Sequence, residues 1–283
     1  VTGTVGDRGS AEMGFLKRGW FRIFISGFVL LYLVERVLVA TGNPNYIPSV
    51  ILLGAFLVPV TFVTYLYERL PEWEIPLPSL AVCFFWGGVL GTVVAGTLEY
   101  DVARTLGFVP KLFIGLIEEG AKLILPLVFY FLGRYRSEAA GIVLGVATAM
   151  GFAALETMGY GFVTLLQSKG NLGALDEVLL IRGLTSPAGH AAWTGIVCAV
   201  LWRERIKTGH AKLNWRIGGA FLTAVILHAL WDTFASVRST TFAGFLGVGV
   251  LSLLVALVSL TLLIRRVREA RRADIVAAEP RVV

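Results

Sequence analysis

Apolar residues in this chain come in long blocks, separated by short clusters of glycine, proline, asparagine and charge. A helix that crosses a bilayer needs roughly 20 mostly apolar residues. Eight blocks reach that length, at about 20–40, 48–67, 78–98, 109–132, 139–166, 184–203, 216–237 and 242–264. Between them Gly42-Asn43-Pro44-Asn45, the stretch from Pro71 to Pro78, Gly133-Arg134-Tyr135-Arg136 and the stretch from Gln167 to Leu175 read as turns or loops. The pattern predicts an all-α fold class, a polytopic integral membrane helix bundle of about eight transmembrane helices. Residues 15–266 are expected to form one membrane-embedded domain, residues 1–14 a disordered N-terminal tail and residues 267–283 a basic cytoplasmic C-terminal tail.

Finer punctuation adds local expectations. Ser186-Pro187 fits an N-cap followed by proline at the first helical position, so a helix is expected to start there. The preceding stretch from Asp176 to Leu184 is then a short helix at the outer interface. Gly87-x-x-x-Gly91 and Gly141-x-x-x-Gly145 place small residues at helical spacing, which permits close helix approach.

Composition supports the membrane reading and charge orients it. The chain is 56% hydrophobic and 16% charged, against about 25% charged in ordinary soluble domains, and its mean hydropathy is +0.77. The net charge of +6 does not point to nucleic acid, because the basic residues sit mainly in short loops and the C-terminal tail. With the N-terminus inside, eighteen Lys and Arg fall on the cytoplasmic side and six on the other, with Lys122 within a span. That bias predicts cytoplasmic N- and C-termini in a multi-pass protein of the cell membrane. Lys17, Arg18 and Arg22 precede the first block without a clear cleavage site after it, so the first helix is read as uncleaved. Cys83 and Cys198 lie in apolar blocks and read as buried small hydrophobes. Trp20, Trp73 and Trp202 fit interfacial belts.

Four blocks carry groups that hydrocarbon should not hold. The fourth has Glu118, Glu119 and Lys122, the fifth Glu156, the sixth His190, and the seventh His228 and Asp232. Charged groups at such depth are costly and usually functional. At about 100° per residue, Lys122 falls between Glu118 and Glu119 and can pair with either, and Asp232 lies one turn after His228, placed to orient its imidazole. At about 1.5 Å per residue, Glu118 and Glu119 lie roughly 14 Å below the outer end of their helix. The other groups fall in the same outer half. A Glu–Lys pair or a histidine taken singly is commonly structural; Glu118, Glu119, Glu156, His190 and His228 together at one depth on four helices define a site. Glu35 and Arg36 read instead as an interfacial pair, Glu99 and Asp101 as the outer end of the third helix, Arg182 as a snorkelling side chain and His210 as solvated.

The ordered set Glu118-Glu119-x-x-Lys122, Phe152-x-x-x-Glu156, His190 and His228-x-x-x-Asp232 resembles the PrsW family of intramembrane proteases, distantly similar to the CAAX prenyl endopeptidases and bacteriocin-processing membrane proteases. The CAAX group carries EExxxR and a histidine in the second motif. Here Lys122 comes one residue earlier and Glu156 fills the second motif, which favours the PrsW branch. The resemblance implies peptide-bond hydrolysis in a membrane-spanning protein substrate, with an anti-sigma factor, cut first on its extracytoplasmic side, as one kind of substrate. It implies Glu118, Glu119, Lys122, Glu156, His190, His228 and Asp232 as site residues.

No serine or cysteine sits beside a histidine in this set, so water is the expected nucleophile. Two versions stand. In one, His190, His228 and Glu156 (or Glu119) bind zinc or another divalent metal, and Glu118 deprotonates water. In the other, a desolvated glutamate activates water without metal and a histidine stabilises the oxyanion. The partners are then a membrane-spanning substrate and the lipid bilayer, with no nucleic acid. The rival readings are a proton-coupled transporter or channel using the same cluster as a relay, and a scaffold with a degenerate site.

Overall fold

The computed structural model describes residues 18–70, 75–237 and 241–278. The expected N-terminal tail, Trp73, Arg238 and residues 279–283 lie outside the described residues. The rest is helical: α1 (Gly19–Thr41), α2 (Ile47–Arg69), α3 (Leu77–Leu106), α4 (Lys111–Lys122), α5 (Ile124–Phe131), α6 (Glu138–Gln167), α7 (Leu172–Thr185), a π-helical turn (Pro187–Ala191), α8 (Ala192–Thr208), α9 (Trp215–Ser236) and α10 (Phe242–Ala278). Six helices, α1, α2, α3, α6, α9 and α10, are long and apolar enough to cross a membrane by themselves. The chain is a multi-pass, all-α membrane bundle.

The other two blocks expected to span are broken into shorter helices, and proline explains both breaks. Block 109–132 divides at Leu123 into α4 and α5. Pro126 has no N–H to donate to the Lys122 carbonyl, so the helical ladder cannot run through that turn. Instead the Leu123 N–H bonds Gly120 O at 3.2 Å and the next helix resumes. Block 184–203 does not begin at a cap. Ser186 has helical backbone angles (φ −56°, ψ −34°) and makes no side-chain cap, which corrects the N-cap expectation. Pro187 removes the donor that Gly183 O would have met, and the Ser186 hydroxyl donates to that carbonyl at 2.9 Å. The chain then widens into a π turn, with Ala191 N–H bonding Ser186 O at 3.2 Å. The short helix expected over Asp176–Leu184 is α7, which starts earlier because Asn171 Oδ1 caps Ala174 N–H at 3.2 Å. The loop expected from Gln167 to Leu175 shrinks accordingly. Helix α10 runs past its expected end to Ala278, so most of the expected basic tail is helical.

Helix α6 is the centre of the bundle, buried on every face from Glu138 to Ala154 and on one face beyond, packing against α2, α3, α7 and α8. Glycine makes these approaches possible. A Cβ on Gly151 would lie 1.8 Å from Phe84 O of α3, and one on Gly145 would lie 2.5 Å from Cys198 Sγ of α8. Such contact distances require a bare backbone. At the far end of α6, Glu138 takes a bidentate Arg203 (2.8 and 2.8 Å), which also reaches Glu269 of α10. Trp202 Nε1 donates to Tyr135 O, and Tyr130 and Lys212 are hydrogen-bonded to each other. The start of α6, the ends of α5 and α8, the start of α9 and the distal part of α10 thus share one end of the bundle.

Gly151→Ala should therefore destabilise the fold by about 1–3 kcal/mol through forced separation of α3 and α6. Gly247→Ala, where a Cβ meets nothing within 4 Å, should be neutral. Thermal unfolding in detergent micelles measures both, and equal behaviour of the two variants would refute the close packing.

Candidate active site

Lys122 is the hub of the site. Its side chain is fully buried, and its Nζ lies 2.8 Å from Glu119 Oε1, 3.2 Å from Glu118 Oε2 and 2.8 Å from His190 Nδ1. It pairs with both glutamates of its own helix, because its side chain falls between theirs. The Phe152 ring, 4.4 Å from Nζ, covers it on another side. An ammonium has three donors and no acceptor. His190 Nδ1 must therefore accept, which leaves the ring proton on Nε2, 3.3 Å from Glu156 Oε2.

His228 is held the opposite way round. Its Nδ1 lies 2.9 Å from Glu119 Oε1 and donates there, so in the neutral imidazole Nε2 carries the lone pair. That nitrogen lies 3.7 Å from Glu118 Oε2 and 3.8 Å from Asp232 Oδ2. The imidazole is thus oriented by Glu119 of another helix. Asp232, expected to do this from one turn away, sits at the other nitrogen and too far for a hydrogen bond. Trp193 stacks on the ring at 4.5 Å and 23°, and its own Nε1 donates to Ser259 of α10 at 2.9 Å. Thr194 completes Glu119 by donating to Oε2 at 3.1 Å.

Glu156 receives Arg182, whose Nη2 lies 2.7 Å from Oε2. Arg182 also donates through Nε to Thr157 at 3.3 Å and lies 4.0 Å from the centre of the Tyr160 ring. The snorkelling reading of Arg182 is corrected: a buried carboxylate turns the guanidinium inward. A cavity of about 490 Å³ opens beside these groups, lined by Glu99, Glu118, Glu156, His190, His228 and Asp232 among others. Glu99 was read as a helix-end marker, yet it faces this cavity and its Oε1 is buried without a hydrogen-bond partner. Its position about two turns inside a long apolar helix was the available signal. Trp193 and Thr194 had none, since ordinary apolar and small polar residues fill every span.

Two other carboxylate oxygens, Glu118 Oε2 and Glu156 Oε2, have cations nearby but accept no aligned hydrogen bond. Glu118, Glu156 and His190 offer ligand atoms that all lie within 4.8 Å of one another, the metal-competent group found among the described residues. The structure therefore distributes the groups differently from the sequence reading, which set His190, His228 and Glu156 as ligands, Glu119 as a substitute and Glu118 as base. Glu119 has both oxygens engaged by Lys122, His228 and Thr194. The nearby hydroxyls of Ser186 and Ser236 are turned to backbone carbonyls at 2.9 Å each, which leaves no poised serine nucleophile there.

A family model described as PrsW family intramembrane metalloprotease matches residues 75–263, a stretch that contains every residue of this site. No curated protein and no solved structure matches the chain. The family match favours hydrolysis over a proton relay built on the same cluster.

The ion cluster carries a stability consequence. Lys122→Met should destabilise the protein by about 3–5 kcal/mol, because it leaves buried carboxylates uncompensated. Adding Glu119→Gln should restore a substantial part. Unfolding in mixed micelles reads this, and a Lys122→Met protein as stable as wild type would mean that the cation does not hold the site together.

Proposed function

The chain belongs to the PrsW family of intramembrane metalloproteases, and from that premise we propose how its residues divide the work of cutting a membrane-spanning protein. The observation that carries the reading is the convergence of Glu118, Glu156, His190 and His228 on one cavity from α4, α6, the π turn and α9, with Glu119 buried behind them on His228. Burying each of these separately in lipid would cost several kcal/mol. A shared polar cavity compensates them together.

The donor set fits a divalent metal on two counts. Glu118, Glu156 and His190 lie at mutual ligand distance, and the carboxylate oxygens on Glu118 and Glu156 lack aligned donors. Two carboxylates and an imidazole suit zinc or a similar divalent ion, and His190, whose Nδ1 is held by Lys122, would ligate through Nε2 on releasing the proton there. When bound, such an ion supplies Lewis acidity for water activation and carbonyl polarisation. The remaining residues handle protons and positions. His228 Nε2 takes the proton of the attacking water and returns it to the leaving amine, with Glu119 holding the ring through Nδ1 and Asp232 facing the imidazolium that forms. Trp193 restricts the ring's rotation. Lys122 neutralises Glu118 and Glu119, and Arg182 fixes Glu156.

One observation favours a metal-free variant of the same hydrolysis. Lys122 donates to His190 Nδ1 and so leaves a proton on Nε2, which makes His190 a donor to an oxyanion. In that version Glu118 activates water directly. Metal content and activity separate the two. On the metal reading, chelation abolishes proteolysis of a transmembrane substrate and added zinc restores it. Glu118→Gln and Glu156→Gln lose bound metal, whereas His228→Ala keeps metal and loses turnover by about 10²–10⁴-fold. Activity that survives exhaustive chelation eliminates the metal version.

Orientation completes the proposal. The basic end of the bundle, with Arg203, Arg205, Lys207 and Arg216, faces the cytoplasm by the positive-inside rule. The catalytic cavity lies toward the other end, in the outer half of the membrane. That depth suits a first cut on the extracytoplasmic side of a substrate such as an anti-sigma factor, in a bacterial cell membrane. Single cysteines at Ala174 and Lys207 should label from opposite sides of sealed vesicles; labelling from the same side would break this topology.

A further inference from the structure

At the end of the bundle away from the catalytic cavity, α8, α9 and α10 leave a second cavity of about 360 Å³. Its inner wall is apolar, formed by Ile196, Val200 and Leu262, and Gly219 keeps the α9 side open, since a Cβ there would meet nothing within 4 Å. The rim carries Arg203, Lys207, Arg216 and Arg266 around a single lining carboxylate, Glu204.

The donors at this rim are unequally used. Arg203 is committed to Glu138 and Glu269 behind it. Arg216 meets Glu204 through Nη1 alone, at 3.3 and 3.4 Å. Lys207 gives one contact to Glu204 at 3.1 Å, and Arg266 gives one Nη1 contact to Glu269 at 3.1 Å. A guanidinium carries five N–H donors and an ammonium three, so most of the donors on these three side chains point to no acceptor among the described residues. Trp215 flanks the cavity with 81% of its surface exposed, an amphipathic ring of the kind that settles at the headgroup level.

We propose that this cavity binds an anionic phospholipid, with the headgroup phosphate against Lys207, Arg216 and Arg266 and one acyl chain along Ile196, Val200 and Leu262. The four rim cations exceed the three carboxylates that pair with them, Glu138, Glu204 and Glu269, by one, and that positive balance selects an anionic over a zwitterionic headgroup. The apolar wall directly beneath selects a lipid over a free anion. The assignment does not depend on the proteolytic chemistry.

The test uses the full chain in micelles with added phosphatidylglycerol or phosphatidylcholine, read by native mass spectrometry and thermal unfolding. Wild type should retain phosphatidylglycerol roughly tenfold over phosphatidylcholine and unfold at higher temperature with it, and Lys207→Gln/Arg216→Gln should lose that preference. Equal retention of the two lipids by wild type overturns the proposal. So does an undiminished preference in the double variant with native circular dichroism. If the double variant misfolds because Glu204 is left without its cations, Arg266→Gln replaces it; that variant should weaken retention about threefold, and unchanged retention overturns the site. Inorganic phosphate alone should give no protection, and protection equal to that of the lipid would reassign the cavity to a free anion.

Discussion

Hydrocarbon provides no water to solvate a charge, so an ionised group inside a membrane bundle must find its compensation in other side chains. Lys122 meets that demand with two carboxylates of its own helix and an imidazole from another. Much else depends on that contact. The ammonium keeps Glu119 charged beside His228, and a charged Glu119 fixes the His228 ring by its Nδ1 proton. The same ammonium sets which nitrogen of His190 faces Glu156. The site is therefore one electrostatic unit: Glu119 is shared by Lys122, His228 and Thr194, and Glu156 by Arg182 and His190.

The scaffold delivers this unit by two devices. Bare glycine surfaces on α6 let α3 and α8 approach to backbone distance, which brings Phe152 and Glu156 within reach of α4 and the π turn. Proline then breaks the helices next to the functional groups. Pro126 stops α4 just after Lys122, and Pro187 forces the widened turn that carries His190. A π turn inserts an extra residue per turn and shifts the side chains that follow, and such turns recur at functional positions. Here the shift sets His190 against Glu156 while Trp193 and Thr194, one turn later, engage His228 and Glu119.

The two ends of the bundle contrast in chemistry. One end is stitched by ion pairs in which the buried Glu138 and Glu204 meet Arg203 and Arg216, and Arg203 also meets Glu269; the partners of the two buried carboxylates reach solvent, which weakens each interaction. The other holds the polar cavity, whose ions are buried and tightly coupled. An intramembrane hydrolase needs such an asymmetry: one end whose ion pairs anchor the helices, and a preorganised cavity that admits its nucleophilic water while fixed dipoles and charges act at lowered dielectric.

The sequence by itself determined what depends on local composition. Hydrophobic block length set the all-α membrane fold, and the 3.6-residue period put Lys122 between Glu118 and Glu119. Charges in apolar blocks exposed the site residues, since nothing else justifies their cost. What it could not determine were relations between helices. Whether Glu119 or Asp232 orients His228 depends on how α4 lies against α9, and the inward turn of Arg182 depends on how α7 lies against α6. The grouping of Glu118 with Glu156 and His190 spans three separate elements. Ser186 looked like a cap because capping and proline-break chemistry use the same residues, and only the continuous backbone through Pro187 decides between them. Periodicity describes one helix at a time, whereas ligand distance, tautomer and cavity are properties of several helices packed together.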